Sequence, residues 1–266
     1  MMFPAVRSLS AIGQDGAMSS ENDAARAVTV DRRSGPYGEV VLRRRGAHHE
    51  IIANGVFLMD TSDGRSERLL IRAAAKALDP AATAPAVLVG GLGVGFSLAE
   101  AAADPRWGRI TVVEREPAVI EWHTGPAPEA RTADPGAGAA AEKHLAYLSG
   151  AALADPRVEL VEADLLDHLA TAPHRYDAVC LDIDNGPDWT VTESNDGLYA
   201  PAGLAACRDR LTPGGVLAVW SARPSPAFEA ALRSAGFTDV RTEEIPVPRG
   251  VPDAVHLAVR PPDTAP

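Results

Sequence analysis

The stretch AVLVGGLGVGFSLAEAAA, residues 86–103, limits what this chain can fold into more than any other. It carries no charge before Glu100, and extended back to Ala81 it gives nineteen uncharged residues, long enough to consider a membrane-spanning helix. Four glycines within six residues argue against that helix, because each costs a helix about 1 kcal/mol relative to alanine. We therefore predict a strand, a tight turn and a helix, in which the missing side chains let a ligand approach the backbone closely. The glycines are Gly90, Gly91, Gly93 and Gly95.

The overall charge narrows the range of partners. A net charge of −11 over 266 residues argues against binding a nucleic-acid backbone, which needs clustered Lys and Arg, and it is compatible with a cationic small substrate. Cys180 and Cys207 stand among apolar neighbours and are too few for a disulfide framework, so we expect both to be packed in the core. The N-terminal residues lack a basic start followed by an apolar run, so we expect a cytoplasmic protein with neither a membrane nor a nucleic-acid partner.

The pattern after Pro85 predicts the fold class. Short β-branched runs alternate there with helical stretches, which is typical of an α/β, Rossmann-like, doubly wound and mostly parallel sheet with helices on both faces. No helical pattern separates the last two runs, which predicts a closing antiparallel pair. The seven runs are 86–91, 109–114, 157–164, 176–182, 214–221, 237–245 and 254–260.

The residues before Pro85 predict a smaller unit. Two β-rich segments, 38–46 and 49–60, precede a helical pattern that starts at Ser66, and the pair Asn54-Gly55 predicts a hairpin turn within the second. We therefore expect a small N-terminal β unit ahead of a nucleoside-binding catalytic domain. The predicted organisation is a disordered tail over 1–34, the β unit over 35–65, and the catalytic domain over 66–262, with a mobile loop at 123–141 and a helix near 142–148.

Three motifs follow consecutive strands of the predicted catalytic domain. The glycine loop follows the first, Glu114 ends the second, and Asp164 follows the third. Carboxyl ends of parallel strands line one crevice, and an acid at the end of the second strand commonly binds ribose hydroxyls. Asp164 is also a good N-cap for a helix starting at Leu165. The three motifs together favour a bound nucleoside over separate structural roles.

The fourth strand is followed by two carboxylates, Asp182 and Asp184. In an extended chain their side chains would point to one face, where two acids repel unless a cation lies between them. They are interpreted either as turn-forming and capping residues or as a pair that holds a cationic amine and removes its proton. Together with Asp188 they could supply oxygen ligands to Mg²⁺, but a full ligand set is absent, so no metal is expected. Trp189 and Tyr199 flank this loop and either wall an acceptor pocket or pack in the core.

The glycine loop, Glu114 and Asp164 resemble the class I S-adenosylmethionine-dependent transferases. That resemblance implies that the loop faces the amino-acid end of the donor, Glu114 holds the ribose and Asp164 meets the adenine amine. The segments YDAVCLDIDNGP and LYAPAGLAACRDRLTPGG further resemble the spermidine synthase (polyamine aminopropyltransferase) family, over roughly residues 36–222. This resemblance implies that Asp182 is the base that deprotonates the attacking amine and that Asp184 approximates the substrate-binding acid. It also implies a homodimer formed through the N-terminal β unit.

The sequence departs from that family at two places. The family's loop is usually GGGDGG, whose acid grips the amine of decarboxylated S-adenosylmethionine, whereas Gly93 stands at the position of that acid here. The family's Tyr-His-Glu stretch is replaced by TSDGRSERLL. The expected function is therefore transfer of an alkyl group, foremost aminopropyl, from decarboxylated or ordinary S-adenosylmethionine to a small amine. A small-molecule methyltransferase and a non-catalytic nucleoside-binding relative are the alternatives.

Overall fold

The structure, a computed structural model, describes residues 26–125, 143–192, 195–247 and 250–263. Its first part is a four-stranded antiparallel sheet in the order β1-β2-β3-β4. The predicted hairpin turn joins the last two strands, and Asn54 and Gly55 both have positive φ (50° and 80°), as a tight two-residue hairpin turn requires. The strands are β1 (Val28–Gly35), β2 (Gly38–Arg45), β3 (His48–Ala53) and β4 (Val56–Asp60).

A second, seven-stranded sheet follows in the order β10-β11-β9-β8-β5-β6-β7. β11 runs antiparallel to both of its neighbours, and the other pairs are parallel. The predicted α/β fold with a mostly parallel sheet and a closing antiparallel pair is confirmed. The strands are β5 (Ala86–Gly90), β6 (Arg109–Glu114), β7 (Val158–Glu162), β8 (Tyr176–Leu181), β9 (Leu211–Ser221), β10 (Thr238–Ile245) and β11 (Asp253–Val259).

Helices cover both faces of the large sheet. Every residue of β5 is buried, as expected for a central parallel strand with helices on each side. Val87 and Val89 pack into one hydrophobic cluster with Leu70 of α1, while Leu88 packs into a second cluster on the opposite face. The helices are α1 (Arg65–Ala77), α2 (Phe96–Ala103), α3 (Pro117–Thr124), α4 (Ala146–Leu153), α5 (Leu165–Thr171), α6 (Asp196–Tyr199), α7 (Pro201–Arg210) and α8 (Pro226–Ser234).

The small sheet is tied to the large one beside the carboxyl ends of the parallel strands. The indole N–H of Trp122 on α3 donates a 2.9 Å hydrogen bond to a carboxylate oxygen of Asp31 on β1. Arg33 of the same strand makes an ion pair with Glu121 on α3 at 3.4 Å. These contacts hold the small sheet over the end of the large sheet where the predicted ligand-binding motifs lie.

Local differences from the predictions concern the chain before β2 and after α3. The first strand starts at Val28, inside the predicted 1–34 tail, whose residues 1–25 lie outside the described residues. The predicted loop at 123–141 begins within α3, and 126–142 also lie outside the described part. The helix expected near 142–148 runs over Ala146–Leu153.

The two cysteines and the glycine-rich segment follow the predictions. Cys180 and Cys207 are free thiols with no exposed surface, and burial raises the pKa of both. The glycine-rich stretch forms a strand, a turn and a helix. In the part of the chain that the structure describes, no helix is both long and apolar enough to cross a bilayer.

Candidate active site

The glycine loop occupies the junction between β5 and α2. Gly91, Gly93 and Gly95 all have positive φ (93°, 48° and 99°), a backbone conformation that favours glycine. A Cβ added at Gly91 would overlap the backbone carbonyl of Asp182 on the neighbouring strand end. The loop therefore needs glycine for its conformation, and at Gly91 also for close backbone packing.

A cavity opens between this loop and the small sheet, and we call it the first cavity. The small sheet contributes Tyr37, Ile51 and Met59 among others, and the strand ends of the large sheet contribute the opposite wall. The sequence-predicted residues that line it are Gly91, Gly93, Glu114, Asp164, Asp182 and Asp184. Gly90 and Gly95 shape the loop without lining the cavity: an added Cβ would approach Leu165 at Gly90, and His123 and Ser149 at Gly95.

Glu114 ties the ends of β5 and β6 together. One carboxylate oxygen accepts a hydrogen bond from the backbone N–H of Leu92 at 2.9 Å, and the other accepts from the N–H of Glu116 at 2.8 Å. Each carboxylate oxygen has a second lone pair, so the group can still accept from a ligand in the cavity. Glu114 thus fixes the glycine loop and presents acceptor oxygens to the first cavity.

Asp164 has both environments that the sequence allowed. Its Oδ1 accepts from the N–H of Leu166 at 2.8 Å, the N-cap contact of α5. Its Oδ2 lies 3.7 Å from the guanidinium of Arg115, which stacks over the Tyr37 ring at 4.4 Å from the ring centroid. Asp164 therefore caps the helix with Oδ1, and its second oxygen, Oδ2, is not used for capping.

Asp182 lies at the wall between the first cavity and a second one. It comes directly after the last residue of β8, and it lines both cavities. The Ser97 hydroxyl donates a 2.7 Å hydrogen bond to its Oδ2. Burial raises the pKa of Asp182, and this hydrogen bond opposes the rise. A carboxylate with a raised pKa beside two cavities is suited to accept a proton.

The second cavity is acidic with aromatic walls. Among the described residues that line it, Arg65 is the cationic side chain, and it is held by Asp63 at 2.6 Å. Carboxylates together with aromatic side chains suit an organic cation. The carboxylates offset its positive charge, and the aromatic side chains pack on its carbon chain. The acids are Asp60, Asp63, Glu67, Asp182 and Asp253, and the rings are Phe57, Trp189 and Trp220.

Glu67 is the main site residue that the sequence interpretation missed. It lies in the first turn of α1, within the stretch that replaces the family's Tyr-His-Glu, and only 7% of its surface is exposed. Ser66 donates to its Oε2 at 3.0 Å. Burial and the neighbouring Asp182 both raise the pKa of Glu67. The only signal in the sequence was an acid at a helix start, which is common in any helix.

Asp184 has a different environment from Asp182, although one residue separates them. The chain is no longer extended there, since β8 ends at Leu181 and Asp184 itself has a positive φ of 56°. Its carboxylate accepts hydrogen bonds from the Val191 backbone N–H at 3.2 Å and from the Asn195 side chain. Both acids line the first cavity, but only Asp182 also lines the second.

The two aromatic residues of this segment also separate. Trp189 is 55% exposed and lines the second cavity. Tyr199 is buried: its hydroxyl donates to the Ile183 carbonyl at 2.9 Å, and its ring packs edge-on against Phe228. Tyr199 lines neither cavity and has a packing role, one of the two options the sequence left open.

A buried histidine supports the glycine loop from behind. His123 on α3 places Nε2 2.8 Å from the Gly93 carbonyl and Nδ1 2.6 Å from the Ser149 hydroxyl. A carbonyl only accepts, so Nε2 carries the proton and Nδ1 accepts from serine. Burial lowers the pKa of His123 to about 4, which keeps the ring neutral at pH 7. His123 is thus a positioning residue for the loop, and it had no signal in the sequence.

Comparisons with known proteins agree with this geometry. No protein-family model matches the chain. The polyamine aminopropyltransferase of Mycobacterium tuberculosis is 30% identical to it over 216 residues, which cover 77% of this chain and 36% of that protein. The polyamine aminopropyltransferase of Mycobacterium bovis matches to the same extent. The chain thus spans about a third of the length of the curated relatives it matches.

Solved structures with the same fold include two spermidine synthases. One, in complex with the transition state analogue AdoDATO, superposes with a TM-score of 0.67 at 18% identity, covering 88% of this chain and 74% of that one. The spermidine synthase from Thermotoga maritima superposes with a TM-score of 0.63 at 17% identity, covering 88% and 73%. The predicted resemblance is confirmed: this chain is a homologue of the polyamine aminopropyltransferases over most of its length and has the fold of the spermidine synthases.

Proposed function

We propose that this chain is a transferase that moves an aminopropyl group from a sulfonium nucleoside to an amine. The observation that carries the proposal is the position of Asp182 at the wall shared by the two cavities, with its pKa raised by burial. A donor in one cavity and an acceptor in the other would meet at that wall. The similarity to polyamine aminopropyltransferases supports the same reaction class.

The first cavity is the proposed donor site. Glu114 would accept from the ribose hydroxyls, and the Oδ2 side of Asp164 would face the adenine amine. Arg115, already stacked on Tyr37, offers a flat guanidinium face to an adenine ring. The donor is S-adenosylmethionine or its decarboxylated form, bound as a co-substrate, and Gly91 and Gly93 border its sulfonium end.

The second cavity is the proposed acceptor site. Its carboxylates would hold an ammonium, and Phe57, Trp189 and Trp220 would pack on the carbon chain. Asp182 takes a proton from the acceptor ammonium, and the freed nitrogen lone pair attacks the carbon beside the sulfonium. The C–N bond forms as the C–S bond breaks, so the positive sulfonium leaves as a neutral thioether. Alignment of nitrogen, carbon and sulfur in two adjoining cavities would lower the barrier by several kcal/mol.

Asp184, proposed from the sequence to bind substrate, would act from the donor side. It lines the first cavity, and its hydrogen bonds with Val191 and Asn195 hold the loop that follows β8. Homodimer formation through the small sheet and a cytoplasmic location stay predictions of the resemblance.

A second candidate function is methyl transfer from S-adenosylmethionine to a small amine. The observation that favours it is Gly93, which leaves the glycine loop without the acid that binds an aminopropyl donor in the related family. The same observation also fits a third alternative, a non-catalytic protein that binds a nucleoside.

The test is a by-product assay on the purified chain. The protein is incubated with putrescine or spermidine and each donor in turn. 5′-Methylthioadenosine as the product supports aminopropyl transfer, whereas S-adenosylhomocysteine supports methyl transfer. Asp182→Asn should lower turnover about 10²–10⁴-fold, the usual contribution of a general base, while nucleoside affinity changes little. Absence of both by-products, with no thermal shift by either donor, would overturn the enzyme proposal.

A further inference from the structure

Met59 stands between the two cavities, at the point where a transferred group would pass. It belongs to β4 of the small sheet, and with Leu58 and Asp182 it lines both cavities. Its Sδ lies 3.1 Å from the backbone nitrogen of Val94, whose N–H donates to it. The thioether is therefore docked onto the glycine loop.

Met59 fills the space above Gly93. A Cβ added at Gly93 would overlap the Met59 Sδ and lie 2.9 Å from its Cε. The φ of 48° at Gly93 is one that aspartate tolerates better than most residues, so the backbone alone does not exclude an acid there. A side chain at position 93 and the present Met59 rotamer cannot coexist, so an acid there would require Met59 to leave the glycine loop.

The carboxylates near the boundary between the two cavities lie on α1 and after β8, not on the glycine loop. The Ser97 hydroxyl contacts both the Asp182 carboxylate at 2.7 Å and the Glu67 backbone carbonyl at 3.3 Å, which places the first turn of α1 beside Asp182. Glu67 and Asp182 line the second cavity together. Arg115, the cationic lining residue of the first cavity among the described residues, stacks on Tyr37 and pairs with Asp164. A donor tail that reaches Met59 from the first cavity meets Asp182 there, and Glu67 beyond it in the second cavity.

We propose that Met59 and Glu67 are the donor-selecting residues of this site, in place of a glycine-loop acid. Met59 shapes an uncharged wall against the donor tail, and Glu67 attracts a tail that ends in an ammonium and repels one that carries a carboxylate. The inference rests on the proposed function, since it concerns the tail of a sulfonium nucleoside in the first cavity. The selected class is a donor with an ammonium and no carboxylate.

The steric part is tested by a double-mutant cycle. Gly93→Asp alone should lower the midpoint of thermal unfolding and weaken binding of 5′-methylthioadenosine at least tenfold, because the new side chain meets Met59. Met59→Ala with Gly93→Asp should recover most of both losses, since the space is freed. If the losses of stability and affinity in the double variant equal the sum of the losses in the two single variants, the steric exclusion is wrong.

The charge part is tested with two stable thioethers, S-adenosylhomocysteine and its decarboxylated analogue, by calorimetry. The wild type should bind the decarboxylated compound at least tenfold more tightly, and Glu67→Gln should reduce that ratio at least threefold. Adding Met59→Ala and Gly93→Asp to Glu67→Gln should restore it, because the loop then supplies the acid. A ratio that Glu67→Gln leaves unchanged overturns the proposal.

5′-Methylthioadenosine, which has no charged tail, separates this inference from the proposed function. It should bind the wild type and Glu67→Gln equally. If the wild type does not bind it at all, the proposed nucleoside site is wrong. If 5′-methylthioadenosine binds normally while Glu67→Gln leaves the affinity ratio of the two thioethers unchanged, only the donor-selecting role of Glu67 is wrong.

Discussion

At the residue scale, the properties of Asp182 depend on its neighbours more than on its place in the sequence. Burial raises its pKa, and the nearby Glu67 has a raised pKa that Asp182 itself helps to cause. Two close carboxylates cannot both ionise easily, so they titrate as a pair. Because the raised pKa favours the protonated acid, the base is inactive below that pKa and active above it. Transfer should therefore gain rate as pH rises through the range of the pair.

Glu67→Gln should move the acidic limb of kcat/KM to lower pH. Removing the neighbouring negative charge eases ionisation of Asp182, so the base stays active in more acidic solution. Ser97→Ala is the matched control with the opposite sign: it removes the hydrogen bond that lowers the pKa of Asp182, so the limb should move to higher pH. Rate profiles from pH 4 to 9 would measure both. Shifts of the same sign in the two variants would contradict this coupling.

The residues whose position at the first cavity follows from the sequence are those that the order of the strands places there. Glu114 and Asp164 follow parallel strands, so they lie at one edge of the sheet whatever the details of packing. Glu67 and Met59 lie before the parallel sheet in the chain, and only the packing of the small sheet and α1 brings them to Asp182. The geometry of Asp184 was missed because a positive φ in a non-glycine residue has no reliable signal in a sequence.

At the element scale, the start of α5 and the proposed donor site share one residue. Asp164 caps the helix with Oδ1 and keeps Oδ2 toward Arg115 and the first cavity. The two roles need different chemistry: capping needs any acceptor oxygen, whereas an adenine amine needs a second acceptor. The two roles are therefore separable by substitution.

Asp164→Asn should leave the free energy of unfolding nearly unchanged, because asparagine is also a good N-cap. It should weaken nucleoside binding about tenfold, since the NH₂ group that replaces Oδ2 cannot accept from the adenine amine. Asp164→Ala should cost about 1 kcal/mol of stability as well. Urea unfolding and calorimetry with 5′-methylthioadenosine measure the two effects. If both variants bound the nucleoside as the wild type does, Asp164 would be a cap alone.

The elements themselves were predicted unevenly for physical reasons. Buried strands such as β5 and β8 are short β-branched runs between turn signals, which a sequence shows clearly. Residues 1–34 are rich in Ala, Ser, Asp and Gly without periodicity, which predicts a tail that includes most of β1. In the structure most of this strand is exposed. β1 is an edge strand and buries little of its surface. It is ordered by backbone hydrogen bonds to β2, which its composition does not predict.

At the scale of the whole molecule, charge and architecture favour the same kind of ligand. The chain carries a net charge of −11, and the second cavity concentrates carboxylates beside one ion-paired arginine among its described lining residues. A low-dielectric cleft lined by one sign of charge raises the local concentration of oppositely charged ligands. The first cavity has a mixed set of charges, with Arg115 opposite Asp164 and Glu114. The two cavities should therefore respond differently to salt.

Raising the ionic strength from 0.01 M to 1 M shortens the Debye length from about 30 Å to about 3 Å. The KM for putrescine or spermidine should then rise several-fold, because long-range attraction of the cation to the acidic cavity is screened. The uncharged 5′-methylthioadenosine should bind with nearly constant affinity over the same range, and kcat should change little, since the acids around Asp182 are sheltered from salt. Steady-state kinetics and calorimetry in the same buffers would compare the two ligands. A KM for the amine that stays constant over this range would contradict the assignment of the acidic second cavity to the acceptor.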